Sequence, residues 1–278
     1  MSIKDIVVHV DGARNHEART AVAIDLAKRF DAHLTGIYVK SPIYLPAYVA
    51  AQVGPDIIEM QAKVSNEAAQ EAAKAFDEVT SKAGVSAEMR IGEGPVDEVV
   101  SLHARYADLC VVGQTDPDGD APADDVDVPG HVTLFSGRPT LIVPYAGRFN
   151  DVGKRILVAW NGSREAARAV NDAMPLLQAA SQVTVLAVNP GETRDPLGDL
   201  PGADISLHFA RHGVTVEAAQ IVADDIQVGD MLLSRISDGG FDLVIMGAYG
   251  RSRLRELVMG GASRHMLHHM TVPIFMAH

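Results

Sequence analysis

The chain has 278 residues, more than a domain of usual size, and this predicts two domains of about 140 residues each. Hydrophobic residues make up 47% of the chain and charged residues 22%, a balance that excludes a mostly disordered protein. The formal net charge is -12 and there is no run of lysine and arginine, which argues against a nucleic-acid surface that neutralises phosphates.

The first residues, MSIKDIVVHV, predict a strand and lack the basic and apolar segments of a signal peptide. No apolar run reaches the ~20 residues that cross a bilayer. We therefore expect a soluble cytoplasmic protein with neither a membrane nor a nucleic-acid partner. The single cysteine, Cys110, cannot form an intramolecular disulfide, and its apolar neighbours predict a buried strand residue.

The chain repeats itself, because IVVHVDG at residues 6–12 reappears as ILVAWNG at residues 156–162, each followed by an alanine-rich amphipathic stretch. Later segments match at one shared offset: DLCVVG at 108–113 with DLVIMG at 242–247, and PTLIV at 139–143 with PIFM at 273–276. The sequence thus predicts two domains of the same fold.

In each half, short runs rich in valine and isoleucine alternate with segments of helical period, which is typical of parallel strands joined by helices. The predicted strands lie near residues 4–10, 33–39, 85–91, 108–113 and 139–143, and again near 155–160, 183–188, 214–221, 242–247 and 273–277. Runs that are apolar throughout indicate helices on both sheet faces. The predicted fold is therefore α/β, with two tandem domains that each hold a five-stranded parallel open sheet of Rossmann-like type.

Three segments rich in proline, glycine or polar residues predict irregular connections. Residues 42–55 form a long loop before the main helix of the first half, and residues 116–129, with six aspartates and three prolines, form an acidic loop. Residues 145–154 join the halves, so the domains are predicted to span residues 1–149 and 150–278.

An apolar stripe from Ala166 to Leu177 predicts the first helix of the second half.

A glycine-rich segment follows the fourth strand of the second half, with Gly247-Ala-Tyr-Gly250, nine further residues, and then Gly260-Gly261-Ala262-Ser263. Ligands bind at the carboxyl ends of the strands of an open α/β sheet, and glycines let backbone N–H groups approach phosphate oxygens. The second group of glycines opens a helix, whose N-terminus favours an anion. The alternative is that these glycines only make turns. A Walker-type loop and the dinucleotide fingerprint are both absent.

This arrangement resembles the universal stress protein family, whose ATP-binding members carry Gly-x-x-Gly, nine residues, and then Gly-Ser or Gly-Thr at this place. The resemblance covers residues 6–143 and 155–276. It implies a fold of the adenine nucleotide alpha-hydrolase-like type and ATP as the ligand, with or without Mg²⁺. The residues that it assigns to the nucleotide are Ala159, Asn161, Val188, Gly247, Gly250, Arg251, Ser252, Gly260, Gly261, Ala262 and Ser263.

Two residues depart from the family pattern. Gly261 stands where the family more often has serine or threonine, which leaves Ser263 as the nearest hydroxyl for a phosphate. Asn161 stands where ATP-binding members commonly have an aspartate that contacts the ribose or a phosphate-bound metal. An amide holds a divalent cation less well than a carboxylate, so the resemblance supports ATP binding more strongly than metal-dependent hydrolysis.

In the first half, acidic residues fill the same loop. An alignment without gaps places Asp116 opposite Gly250 and Asp127 opposite Gly261, although Asp11 is retained on the first strand. Carboxylates there repel a triphosphate, so we expect no ATP in the first half. Two interpretations of this half stay open: it is a packing partner only, or its loop at residues 42–55 covers a different, more apolar ligand.

Other candidate residues have structural explanations. His265 and His269 have the spacing of helical metal sites, but without an interleaved carboxylate they predict a polar helix face. Ser163 predicts a helix N-cap, and Asp224 and Asp225 predict helix-capping acids, with a nucleotide contact as the alternative for these two.

The sequence therefore favours a stress-response protein in which bound ATP changes the affinity for partners. The alternative is a slow ATPase or nucleotidyl-transfer enzyme that uses Arg251 or Arg253 on the phosphates, although no residue set for efficient phosphoryl transfer or nucleophilic catalysis is visible. If the halves pack as family dimers do, through their last strands and helices, the chain is an internal pseudo-dimer. A homodimer of the whole chain stays open.

Overall fold

The computed structural model describes residues 2–13, 15–40, 55–117, 127–188, 202–221, 226–248 and 261–278. The strands are β1 (Asp5–Val10), β2 (His33–Lys40), β3 (Ala87–Glu93), β4 (Leu109–Gly113), β5 (Thr140–Val143), β6 (Arg155–Trp160), β7 (Gln182–Val188), β8 (Val216–Ile221), β9 (Leu243–Gly247) and β10 (Ile274–Ala277). The helices are α1 (His16–Phe30), α2 (Pro55–Ala83), α3 (Val96–Ala104), α4 (Val128–Phe135), α5 (Arg164–Asp172), α6 (Met174–Ala179), α7 (Ala203–Arg211), α8 (Val228–Gly239) and α9 (Ala262–His269).

The strands form one sheet in the order β3-β2-β1-β4-β5-β10-β9-β6-β7-β8. Within each half the neighbouring strands are parallel, and the order reverses between β1 and β4 and between β6 and β9. The predicted α/β fold with two parallel five-stranded units is confirmed. The two units are joined edge to edge, because β5 and β10 pair in antiparallel fashion.

This junction is symmetric with respect to the repeat. Leu141 lies opposite Phe275, and these two residues hold the same place in the two halves. On either side, Thr140 lies opposite Met276 and Ile142 opposite Ile274. The last strand of each half therefore closes the open edge of the other.

Helices cover both faces of the sheet. One buried cluster includes apolar residues of α1, α2, α5, α6 and α7, and a second includes residues of α3, α4, α8 and α9. Alternate residues of one strand enter different clusters, as Leu243 and Ile245 do on one face and Val244 and Met246 on the other. This explains why central strands such as β4 and β9 are apolar at almost every position.

The stripe from Ala166 to Leu177 forms two helices instead of the single one predicted. α5 ends at Asp172 and α6 begins at Met174, since Pro175 has no backbone N–H to continue the hydrogen-bond ladder. The stripe remains buried across the break, so the prediction of its packing is correct although the helix boundary is wrong.

Two predicted segments need correction or lie outside the description. The acidic loop ends earlier than predicted, because α4 begins at Val128 with Pro129 in its first turn, a position where proline is favourable. Two predicted loops lie largely outside the described residues, namely residues 118–126 and residues 42–54. The apolar ligand predicted under the second of these loops stays a prediction. In the described part of the chain, no helix has the length and apolar character needed to span a membrane.

Candidate nucleotide-binding site

The candidate site lies in the second half, at the carboxyl ends of β6 and β9, where the strand order reverses. Such a reversal point is where open α/β sheets bind ligands. Ala159 is paired with Met246 across these strands, which places it beside Gly247. Asn161 directly follows β6, and Val188 ends the neighbouring strand β7. The structure thus brings four of the predicted site residues to one edge of the sheet.

The N-terminus of α9 lies at the same edge, because α9 connects the end of β9 to the start of the parallel strand β10. Gly261 is the N-cap residue and supplies no side-chain acceptor to the first turn. Ala262 opens the helix, and Ser263 is buried in its first turn. A helix N-terminus of this kind carries backbone N–H groups and a positive dipole end that attract an anion.

Asn161 forms a turn with the start of α5. Its Oδ1 accepts a hydrogen bond from the Ser163 backbone N–H at 3.1 Å. The Ser163 hydroxyl in turn accepts from the Ala166 N–H at 3.1 Å, which confirms the predicted N-cap. Because its oxygen is engaged in this turn, Asn161 offers a ligand mainly the N–H donors of its amide.

Gly247 has a structural requirement of its own. A Cβ at this position would collide with the backbone of Glu165 and Ala166 in the first turn of α5. The close approach of α5 to the end of β9 therefore demands glycine here whether or not a phosphate is bound. At Gly247, therefore, the requirement for glycine is structural, as in the alternative that these glycines have no ligand to bind.

Glu165, which no sequence pattern singles out, has its side chain against Gly247. Glu165 is only 3% exposed. Its Oε1 accepts a hydrogen bond from Arg164 Nε at 2.5 Å, whereas its Oε2 has no hydrogen-bond partner. Burial opposes ionisation, but the hydrogen bond from Arg164 and the charge of Arg164 hold the pKa of the Glu165 carboxyl below its usual value. An ionised carboxylate is therefore part of this edge.

Several predicted residues belong to segments outside the described part of the chain. Gly250, Arg251, Ser252 and Gly260 lie outside the described residues, as do Arg253, Asp224 and Asp225. The helix that the two aspartates were expected to cap begins at Val228, and its N-cap residue is Gln227.

The equivalent edge of the first half contains a buried charged cluster of His9, Asp11 and Arg19. Arg19 Nη2 donates to Asp11 Oδ1 at 2.6 Å, and His9 Nδ1 lies 3.5 Å from Asp11 Oδ2. Burial opposes ionisation of Asp11, but Arg19 and His9 lower its pKa to about 2. Burial lowers the pKa of His9 to about 4 against the attraction of Asp11, with a smaller contribution from Arg19. Asp11, Arg19 and a neutral histidine thus occupy this edge.

The helix that follows this edge is capped by its own carboxylate. Asp127 is the N-cap residue of α4, and its Oδ1 accepts a hydrogen bond from the Gly130 N–H at 3.0 Å. Asp127 is the residue that aligns with Gly261. At this aligned position, the helix N-terminus of the first half already carries an anion, the Asp127 carboxylate. The helix N-terminus of the second half, at Gly261, does not.

His265 of α9 contacts the neighbouring helix α8. His265 Nε2 lies 2.9 Å from Asp230 Oδ1 on α8, and the rings of His265 and His269 lie 4.5 Å apart. Among the residues that the structure describes, no three histidine, cysteine, aspartate or glutamate side chains are grouped to hold a metal ion.

Cys110 is fully buried as predicted, and burial raises the pKa of its thiol to about 12.

Residues 153–278 match the model of the universal stress protein family. This part of the chain belongs to the universal stress protein family. The match includes β6, β9 and α9, and so all the described elements of the candidate site. The family predicted from the glycine spacing and the strand order is thus confirmed.

Solved structures extend the similarity of fold to the first half. The alignment with a universal stress protein from Archaeoglobus fulgidus includes 99% of this chain and 96% of that protein, with 16% identity and a TM-score of 0.73. The alignment with a putative universal stress protein from Pseudomonas aeruginosa includes 99% of this chain and 93% of that protein, with 13% identity and a TM-score of 0.59. The alignment with a family protein from Arabidopsis thaliana with AMP bound includes 53% of this chain and 94% of that protein, with 14% identity and a TM-score of 0.36. No curated protein matches the chain in sequence.

Proposed function

We propose that the second half of this universal stress protein binds ATP at the carboxyl edge of β6 and β9, and that the first half does not. Ala159 and Val188 border the adenine, Asn161 faces the ribose, and the N-terminus of α9 holds phosphate together with the glycine segment at residues 247–260. The bound nucleotide alters the affinity of the protein for partners in the stress response and is not turned over rapidly.

The difference between Asp127 and Gly261 carries this proposal. In α4 the Asp127 carboxylate already accepts from the first turn, so a phosphate there would compete with a covalently attached anion. In α9 Gly261 supplies no such group, and a phosphate oxygen can take the place of the missing cap. The repeat therefore contains one closed and one open version of the same anion site.

The charged cluster of the first half supports the same asymmetry. His9 and Arg19 correspond in the repeat to Ala159 and Ala169 of the second half. His9 is a larger side chain than Ala159 at the same place, and the Arg19 guanidinium lies beside Gly113, the counterpart of Gly247. This edge of the first half thus carries larger and charged side chains where the second half has alanines.

The substitution Gly261→Asp tests the proposal. Gly261 has φ -55° and ψ 153°, which any residue can adopt, so the new carboxylate can cap α9 as Asp127 caps α4. We expect the ATP affinity measured by calorimetry to fall at least about tenfold, or about 1.4 kcal/mol. The melting temperature should not fall, because an N-cap acid stabilises a helix by about 1 kcal/mol.

Gly261→Asn is the matched control, since it caps the helix without a charge and should retain more of the affinity. An ATP affinity that is unchanged in Gly261→Asp would place the phosphates elsewhere. Repeated turnover of ATP with Mg²⁺ would favour the alternative, a slow ATPase or nucleotidyl-transfer enzyme that uses Arg251 or Arg253.

The assembly of the chain belongs to the same proposal. The symmetric pairing of β5 with β10 supports an internal pseudo-dimer, in which each half acts as the partner of the other. The division into domains at residues 1–149 and 150–278 agrees with the gap between β5 and β6 and with the start of the family match at residue 153.

A further inference from the structure

The first half contains a cavity near the amino ends of its strands, at the edge of the sheet opposite the candidate nucleotide site. This amino-end cavity has a volume of about 80 Å³ and lies between the starts of β1 and β2, the middle of β3 and the C-terminal end of α3. Its floor includes apolar side chains of β1. Its polar lining residues come from four segments that are distant in sequence: Asp5, His33, Thr35, Arg90, His103 and Tyr106.

The strand register directs these polar side chains to one face of the sheet. Thr35 is paired with Val7 in parallel register. Arg90 is paired with Ile37 in the same way. Val7 and Ile37 both belong to the buried cluster under α3, and paired residues of neighbouring parallel strands share a face. Thr35 and Arg90 therefore point toward α3, whose last turn supplies His103.

The lining side chains have hydrogen-bonding groups that their contacts within the protein do not use. Thr35 and His103 form no side-chain hydrogen bond in the described part of the chain. His33 Nδ1 lies 2.9 Å from the Ser86 hydroxyl, which leaves Nε2 for another group. Three segments thus present polar atoms to one small volume.

Arg90 makes one side of the cavity positive. Its Nη2 pairs with Glu88 Oε1, which leaves Nε and Nη1 as donors. Burial lowers the pKa of His103, and the charge of Arg90 lowers it further. The guanidinium is therefore close enough to oppose protonation of this imidazole. An anion between the two side chains would pair with Arg90 and favour the imidazolium form of His103.

Two features of opposite charge border the cavity, and both are weakened. Among the described residues that line it, Asp5 is the only acid, and Asp5 is exposed, so that solvent screens its charge. The C-terminal end of α3 carries the negative end of a helix dipole. There the Arg105 carbonyl accepts a hydrogen bond from Arg138 Nε at 3.2 Å, which adds a positive charge at this end.

The second half shows that the fold does not require this arrangement. The strand pairing places Ala219 where the first half has Arg90. Phe241, which is buried, stands in the place of Ala107, and each directly precedes an aspartate that accepts from the backbone at the start of β1 or β6. The same sheet thus forms with a neutral residue in β8 and a larger ring beside it.

We propose that the amino-end cavity binds a small oxyanion of the size of sulfate or phosphate, held by Arg90, His103 and Thr35. A single buried water needs roughly 10 to 15 Å³ and a drug-sized ligand roughly 300 to 1,000 Å³, so about 80 Å³ fits one small ion. A guanidinium presents N–H groups in a fork that matches an oxyanion. The imidazole and the hydroxyl add donors from the other two sides. This site is independent of the proposed ATP binding.

Histidine NMR with inorganic sulfate as the probe tests the proposal. Sulfate stays fully ionised in the pH range in which histidine titrates, so the measured change reports on the protein. We expect sulfate to raise the pKa of His103, followed by its ring C–H resonance, by about one pH unit, which equals a tenfold preference for the imidazolium. The charged or titratable groups that line the cavity with His103 are Arg90, His33, Asp5 and Tyr106. Sulfate should therefore bind more weakly as the pH rises and His103 loses its proton.

Two variants remove the site in different ways. Arg90→Gln should weaken sulfate binding at least about tenfold, because a charge-assisted hydrogen bond is lost. Ala107→Phe installs the residue of the second half and should fill the cavity, so that sulfate no longer changes the pKa of His103. Arg211→Gln is the matched control, since it removes the same charge from an exposed residue of α7 and should behave as wild type. Circular dichroism verifies that each variant is folded.

The readout is specific to this cavity, because sulfate at the N-terminus of α9 would bind in the other half, far from His103. A His103 resonance whose titration is the same with and without sulfate would overturn the proposal and assign only water to the cavity. An equal effect of sulfate in wild type and in folded Arg90→Gln would also overturn it, since the guanidinium would then have no part in binding.

Discussion

Arg19 lies on the buried face of α1, one turn before Ala23 and two turns before Leu26. Arg19 is 4% exposed and its charge is balanced by Asp11. A cation at an apolar position of a helical stripe is the signal that could have revealed this cluster from the sequence. The partner could not be identified in the same way, because Asp11 meets Arg19 only when α1 folds back over β1.

His9 makes the stability of the protein dependent on pH. Its pKa is about 4 in the folded chain and 6.5 when exposed, so the unfolded chain binds more protons between these values. The contribution of His9 is complete above pH 6.5 and is lost as the pH falls toward 4, by an amount on the order of 3 kcal/mol. In His9→Gln this loss should disappear, so that urea unfolding at pH 7 and pH 5 differs less than in wild type.

His212→Gln is the control for this measurement, because His212 is exposed and lies in the other half. It should keep the pH dependence of wild type. A pH dependence that is equally strong in His9→Gln would show that other groups carry it.

The elements of this protein are more predictable than the contacts between them. The strands lie within two residues of their predicted bounds, because burial on both faces gives the central strands continuous apolar runs. The two-residue deviations are at the starts of the edge strands β3 and β8, which are partly exposed. The apolar stripe does not predict the break between α5 and α6, because it indicates which residues are buried but not whether one helix spans all of them. The packing of the two halves through their last strands follows only from the family resemblance, and the contact of Glu165 with Gly247 depends on three-dimensional proximity, which no local pattern encodes.

Gln114 connects the first half to the helix that is proposed to hold phosphate. Its Nε2 donates to the carbonyl oxygens of Leu267 at 2.9 Å and His268 at 3.0 Å, at the C-terminal end of α9. Its Oε1 accepts from the Tyr145 N–H at 3.1 Å. This single buried side chain therefore serves three backbone groups in two segments.

Replacement of Gln114 by alanine leaves those backbone groups without partners in a buried region. We expect the free energy of unfolding to fall by about 2 to 3 kcal/mol, since each unsatisfied buried group costs about 1 kcal/mol or more. Urea denaturation provides the measurement. Gln178→Ala is the matched control, because Gln178 donates to the His212 carbonyl at an exposed position and should change stability by less than about 1 kcal/mol. Equal effects of the two substitutions would contradict the role of Gln114.

The antiparallel pair of β5 and β10 joins the two halves edge to edge, as a strand pair at an interface would join two chains. An exposed strand edge is a template for pairing, and here each half covers the edge of the other. Since Leu141 and Phe275 hold equivalent places in the repeat, a second copy of β10 could pair with β10 about the same centre. The tandem chain thus has the geometry of a symmetric dimer within one polypeptide.

Removal of the first half should therefore turn an internal contact into an intermolecular one. A fragment of residues 150–278 keeps β10 but loses β5, and we expect it to form a homodimer through Phe275 when its mass is measured by light scattering. The full chain should elute as a monomer under the same conditions, because its β10 edge is already paired. A fragment that stays monomeric while retaining its circular dichroism spectrum would show that the junction depends on features of β5 that β10 lacks.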